Sequence, residues 1–186
     1  LLRTGDIDNR VFNRDTMLLG SAMHASYQKK QGREYLSEVP LDGTFERENV
    51  SLTLQGRADG IIVGGKCPII DEIKSTVSDL DVFFEEEKEW HLGQAKCYAL
   101  LYLLKNGGDR AQIQLTYLSQ KTNEKKTHLW TFEKAELQKD IDCLIDEFLK
   151  REEEVFAPLS LRHESAKKLS FPYKTFRKGQ QTMAKY

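Results

Sequence analysis

Two stretches rich in Ile and Val, residues 55–63 and 68–75, stand on either side of Gly64-Gly65, and this constrains the fold more than any other feature of the chain. Apolar runs broken by a glycine pair predict two buried strands joined as a hairpin. Side chains alternate between faces along a strand, so Glu72 and Lys74 share one face while Ile73 points into the opposite layer. Antiparallel pairing sets residues distant in sequence side by side, and Asp59, in Gly56-Arg57-Ala58-Asp59-Gly60, can then occupy the face of Glu72.

Two carboxylates converging in this way suit a hard divalent cation, Mg2+ or Mn2+. Lys74 would stay beside the ion, where an ammonium can stabilise charge on a phosphate or steer an attacking water. The plainer alternative makes Asp59 and Glu72 edge or turn charges and Lys74 a solvated strand residue, and an acid-x-lysine tripeptide taken alone is common enough to favour it.

Further elements bear on that choice. Residues 14–31 read as a helix with Asn13 as N-cap, Gly32 as stop and apolar positions at Met17, Leu18, Ala22 and Ala25. His24 projects from it, with Gly20 one turn earlier leaving room for close approach. A lone histidine on such a helix is more often a packed or surface residue; the functional reading makes its neutral imidazole a third metal ligand, with Gln28 supporting the site or touching DNA. A second helical run, Trp90 to Tyr102, follows the acidic residues 85–89 and sets Gln94 and Tyr98 four residues apart on one face, while Leu100, Leu101, Leu103 and Leu104 supply the core side. Tyr98 could equally be a core residue with its hydroxyl satisfied.

Taken in order, Gly20-x-x-x-His24, Gly56-x-x-Asp59, Glu72-Ile73-Lys74 and Gln94-x-x-x-Tyr98 resemble the motif series of RecB-type nucleases in the PD-(D/E)XK superfamily, over roughly residues 17–104. The resemblance implies an α/β fold with a restriction-endonuclease-like core, a central mixed sheet flanked by helices. It implies side-chain metal ligands at His24, Asp59 and Glu72, the carbonyl of Ile73 as a fourth, and Lys74 as the catalytic lysine. Gln94 and Tyr98 would orient the site and contact the DNA strand. Ala58 stands where the superfamily name carries proline, and Gln28 where many relatives are acidic. The implied activity is a Mg2+- or Mn2+-dependent DNase, a single-strand exonuclease of repair or recombination acting on DNA with a free end. The alternatives are a structure-specific endonuclease and a non-catalytic DNA-binding module.

Some relatives in this group carry four clustered cysteines that hold an iron-sulfur cluster. Here Cys67, Cys97 and Cys143 are widely separated, so neither a cluster nor a structural zinc is expected. Three unpaired thiols suit a reducing cytoplasm, and no stretch approaches the length of a membrane span. With 186 residues and 39% hydrophobic content there is enough chain for one full core. Strands are expected at 35–45, 112–119 and 128–132, and a closing helix at 134–153. A net charge of -1 gives no global basic field for DNA, which leaves phosphate binding to the metal and to local cations.

The local exception is the C-terminal stretch with Lys167, Lys168, Lys174, Arg177, Lys178 and Lys185. Within it Phe171-Pro172-Tyr173 and Arg177-Lys178-Gly179-Gln180 resemble the entry to the first motor domain of DinG/XPD-type helicases, ahead of the nucleotide-binding loop. No G-x-x-x-x-G-K-[ST] loop is present, so no ATP site is expected in this segment; Gln180 would contact adenine only in a longer protein. Residues 1–165 are thus expected to be a nuclease domain, and 166–186 a basic linker and the start of a truncated helicase domain belonging to the same full-length chain.

Overall fold

The glycine pair and the charged turns divide the chain into eight elements in the computed structural model, which describes residues 14–168 together with Thr175, Arg177, Gly179 and Gln180. In chain order these are α1 (Arg14–Lys29), β1 (Tyr35–Arg47), β2 (Val50–Ile62), β3 (Ile69–Thr76), α2 (Leu80–Asn106), β4 (Arg110–Ser119), β5 (Lys125–Glu133) and α3 (Lys134–Lys167). The strands form one sheet in the order β1-β2-β3-β4-β5. Every neighbouring pair is antiparallel except β3 with β4. A parallel pair needs a long crossover, and α2 provides it. This is an α/β fold with a mixed five-stranded sheet flanked by helices, as the sequence pattern anticipated.

Several boundaries differ from expectation. β1 and β2 pair from Tyr35 opposite Ile62 to Arg47 opposite Val50, with one break at Glu38, so β2 begins well before residue 55. The acidic residues 85–89 lie inside α2, which starts where the Asp79 side chain accepts the N–H groups of Asp81 and Val82. It stops at Gly107, whose φ of 85° lets its N–H reach the carbonyl of Leu103. Leu100, Leu101 and Leu103 are buried as expected, but Leu104 is 45% exposed. It lies in the last turn ahead of the Gly107 cap, where the packing gives out.

Helix α1 corrects the expected apolar face. Met17 and Leu18 are about 60% exposed, and Ala22 and Ala25 are exposed as well. The inward face runs instead through buried Gly20 and half-buried Met23, His24 and Tyr27. A Cβ on Gly20 would sit 2.7 Å from the Ser75 hydroxyl, so the absence of a side chain is what lets the helix lie against β3. Asn13 lies outside the described residues.

The core is mainly aliphatic, with Tyr117 its largest fully buried side chain. Ile61, Ile70, Ile73, Ile113, Leu115 and Leu137 are fully buried, each contributing roughly 1.5–3 kcal/mol. Opposite faces of β3 meet different helices, since Ser75 faces α1 while its neighbour Lys74 meets Gln94 of α2. By internal packing the chain divides into residues 1–144 and 145–186. The first unit carries all five strands. In the second, beyond α3, the Arg177 N–H donates to Gln180 Oε1 at 2.8 Å, and the Gln180 N–H returns to the Arg177 carbonyl at 3.0 Å. Gln180 therefore closes a local turn, while most of the stretch 171–183 lies outside the described residues.

Candidate active site

The pairing of β2 with β3 is short, running only from Ile62 opposite Ile69 to Gly60 opposite Asp71. Past that point the two strands no longer pair, and the next residues are Asp59 and Glu72. A buried main-chain N–H still needs an acceptor when its partner strand has left. The Ile73 N–H finds one in the Asp59 carboxylate, with Oδ2 at 2.8 Å. Asp59 thus fills the gap in the ladder with its side chain, which fixes its position relative to Glu72 and Lys74.

On the α2 side a chain of hydrogen bonds joins four of the predicted residues. Lys74 Nζ lies 2.5 Å from Glu72 Oε1 and 3.2 Å from Gln94 Oε1, and Gln94 Nε2 donates to the Tyr98 hydroxyl at 3.2 Å. The i, i+4 spacing of Gln94 and Tyr98 therefore does what it predicted. Tyr98 also fills the space over Gly56, where a Cβ would lie 2.6 Å from the ring. Ile73 itself is fully buried, on the face opposite Glu72 and Lys74.

Glu72 is 1% exposed. Burial pushes its carboxyl up from 4.5 to about 7, against the opposing pull of the Lys74 ammonium. Its second oxygen, Oε2, is buried with no hydrogen-bond partner. Such a group is costly unless something satisfies it. Asp59 is also raised, by burial first, with the Ile73 N–H, Lys74 and His24 pulling the other way. His24 is lowered from its ordinary 6.5, burial being the main cause and the Asp59 carboxylate opposing it, so its imidazole is held neutral. The donors match a hard divalent cation in kind: an orphaned carboxylate oxygen, a second carboxylate and a neutral imidazole. Among the described residues, however, no three His, Cys, Asp or Glu side chains come together closely enough to enclose an ion.

Gln28 has a definite place. Its Nε2 donates to the Asp59 carbonyl at 2.8 Å and to Glu38 Oε1 at 2.9 Å. Glu38, on β1, also meets Arg57 Nε at 2.7 Å. It has a φ of 55°, which is left-handed and uncommon for a residue other than glycine. Nothing in the local sequence marks Glu38 for attention, because its partners come from α1 and β2.

Two other groups escaped the sequence reading. Asp71 is wholly buried and surrounded by donors: Tyr35 Oη at 2.9 Å, Thr116 Oγ1 at 2.6 Å and Gln114 Nε2 at 3.0 Å. The Tyr35 ring reaches it across Gly60, where a side chain would collide with that ring. The alternation Gln114-x-Thr116 was the available signal. His91 Nδ1 and the Tyr117 hydroxyl lie 2.9 Å apart, and Tyr117 is the register partner of Lys74. Burial, aided by the Lys74 charge, pushes His91 down to about 4. Cys67, Cys97 and Cys143 are all free, and Cys97 is buried with its thiol pushed up to about 11 by desolvation.

No family model matches this chain, and no curated protein matches it. Among solved structures, SSO0001 is similar over 69% of this chain and 59% of its own length, with 19% identity and a TM-score of 0.46. An alkaline exonuclease from Laribacter hongkongensis, LHK-Exo, is similar over 86% of this chain and 78% of its own, with 15% identity and a TM-score of 0.40. The chain spans less than two thirds of the length of the first of these. No helix among the described residues is long and apolar enough to cross a membrane.

Proposed function

We propose that this chain is a divalent-metal-dependent deoxyribonuclease built on a restriction-endonuclease-like core, acting as an exonuclease on single-stranded DNA ends in repair or recombination. The observation that carries the reading is buried Glu72 beside half-buried Lys74, with Glu72 Oε2 unsatisfied and Lys74 handed on to Gln94. A protein has little structural reason to keep an orphaned carboxylate oxygen in its core. A site that gathers a cation and a phosphate has every reason.

In this reading His24, Asp59 and Glu72, with the Ile73 carbonyl, would hold Mg2+ or Mn2+. When bound, such an ion polarises a phosphoryl oxygen and lowers the pKa of an attacking water. Lys74 stabilises charge developing on the scissile phosphate and orients the water in line. Gln94 accepts from Lys74 and so aims the ammonium, and Tyr98 fixes the Gln94 amide in turn. Gln28 secures the main chain at Asp59. Residues 1–165 form the nuclease domain and 166–186 lead toward a helicase domain in the same full-length chain, a motor that would deliver a single strand to the cutting centre. Three separated cysteines favour a cytoplasmic protein without an iron-sulfur cluster.

End-labelled single strands digested with Mg2+ or Mn2+ test this directly. The parent should release nucleotides from an end and spare a single-stranded circle. Lys74→Ala and Asp59→Ala should be inactive, with DNA affinity largely retained in Lys74→Ala. Cleavage by Lys74→Ala at the parent's rate would refute the mechanism, and cutting of the circle would point to an endonuclease. A second reading, a DNA-binding module without catalysis, draws on the engagement of Lys74 with Glu72 and on the ungathered ligands. Mn2+ titration calorimetry near neutral pH separates the two, since only the nuclease binds the ion.

A further inference from the structure

We propose that Glu38 is a positioning residue of this site, closing a polar ring that holds the helix carrying His24 against the strand carrying Asp59. The inference rests on the nuclease reading for its purpose but on geometry for its substance. The ring runs from Arg57 Nε to Glu38 Oε2, from Glu38 Oε1 to Gln28 Nε2, and from the same Nε2 to the Asp59 carbonyl. Arg57 and Asp59 flank buried Ala58 on β2. Gln28 lies one turn beyond His24 on α1, on the same helical face.

Both hydrogens of the Gln28 amide are spent on oxygen acceptors, which fixes the orientation of the group. This explains why an amide suits position 28 in this chain. A glutamate there would face the Glu38 carboxylate and the Asp59 carbonyl with lone pairs alone. The β1–β2 register also skips this place, passing from Ser37 opposite Gly60 to Val39 opposite Ala58. Here Glu38 takes its left-handed conformation. The pair it makes with Arg57 is solvent-exposed, 43% and 69% for the two side chains, and exposed pairs add little stability. A strained backbone that returns little stability is the mark of a residue kept for what it positions.

The test reads the geometry without needing activity. Asp59 is seen by the Ile73 N–H, so amide exchange at Ile73 reports whether the carboxylate is held in place. In Glu38→Ala, exchange at Ile73 should accelerate about five- to tenfold, as expected for one weakened hydrogen bond, while Ile61 and Ile113 stay as in the parent. Mn2+ affinity in calorimetry should fall roughly tenfold or more, and kcat should drop with KM for DNA unchanged. Glu38→Gln keeps an acceptor oxygen for Gln28 while giving up the ion pair with Arg57, and should recover all three readouts to about the level of Arg57→Ala. Arg57→Ala, which leaves the Glu38–Gln28 bond in place, should fall between the parent and Glu38→Ala. Equal Ile73 exchange in parent, Glu38→Ala and Glu38→Gln overturns the proposal, and so does failure of Glu38→Gln to rescue. If the parent neither binds Mn2+ nor cuts DNA, the nuclease reading falls, and the Ile73 comparison still decides the role of Glu38.

Discussion

Replacing Glu72 by glutamine should change how the stability of the metal-free protein depends on pH. The carboxyl is 1% exposed and its folded-state value is raised from 4.5 to about 7. The folded protein therefore binds the Glu72 proton more tightly than the unfolded chain does. The stability this confers is fully present below about pH 4.5 and is lost as pH rises through about 7. A displacement of that size corresponds to about 3 kcal/mol, a large share of the stability of a domain this small. Glutamine cannot titrate, so the variant lacks this term. Urea unfolding in the presence of a chelator, between about pH 5 and about pH 8.5, should show the parent losing about 2.5 kcal/mol relative to Glu72→Gln, the remainder being lost already below about pH 5. A constant offset from repacking the amide beside Lys74 shifts one curve bodily and leaves the slope intact. Parallel curves for the two proteins would refute the reasoning, because they would mean that the Glu72 carboxyl is as well solvated folded as unfolded. Repeating the series with Mn2+ should restore the stability of the parent at high pH and leave the variant nearly unchanged.

Other outcomes follow from neighbouring contacts. Gly60→Ala should destabilise the protein by about 2–4 kcal/mol in thermal unfolding, since the added methyl displaces the Tyr35 ring and breaks its bond to Asp71. Thr116→Val should cost about 1–3 kcal/mol by the same measurement, because it strips the shortest donor from a buried carboxylate. Gly56→Ala should dislodge Tyr98, freeing Gln94 and lowering kcat on single-stranded DNA while KM stays close to that of the parent. The His91 ring, held down near 4, should show no titration between about pH 5.5 and about pH 8 by NMR; stability drawn from its neutral form should decline as pH falls from about 6.5 toward 4.

The hairpin of β2 and β3 was legible because a buried strand pair leaves its alternation in the sequence, and the face-sharing of Glu72 and Lys74 followed from that period alone. Gln94 and Tyr98 were legible for the same reason with the helical period. The inward face of α1 was not, because contact there is set by the missing side chain of Gly20 and not by large apolar residues, while Met17 and Leu18 drew attention to the wrong side. The Asp71 network and the ring through Glu38 join residues from separate elements, so local spacing marks at most the Gln114-x-Thr116 alternation and nothing of the ring. The role of Asp59 as a substitute acceptor for Ile73 depends on where two strands part company, and composition carries no trace of that point.

The single parallel pairing has a consequence for how the protein comes into being. β3 ends at Thr76, and its partner β4 begins only at Arg110, after the whole of α2. Lys74 and its register neighbour Tyr117 can meet only once that long excursion has closed, and pairings of high sequence separation form slowly because chain entropy must be lost before any contact is gained. On a growing polypeptide the β1–β2–β3 meander can assemble first, before β4 has been made. The buried surroundings of Glu72 and the Lys74–Tyr117 register are therefore among the last features of the sheet to be completed.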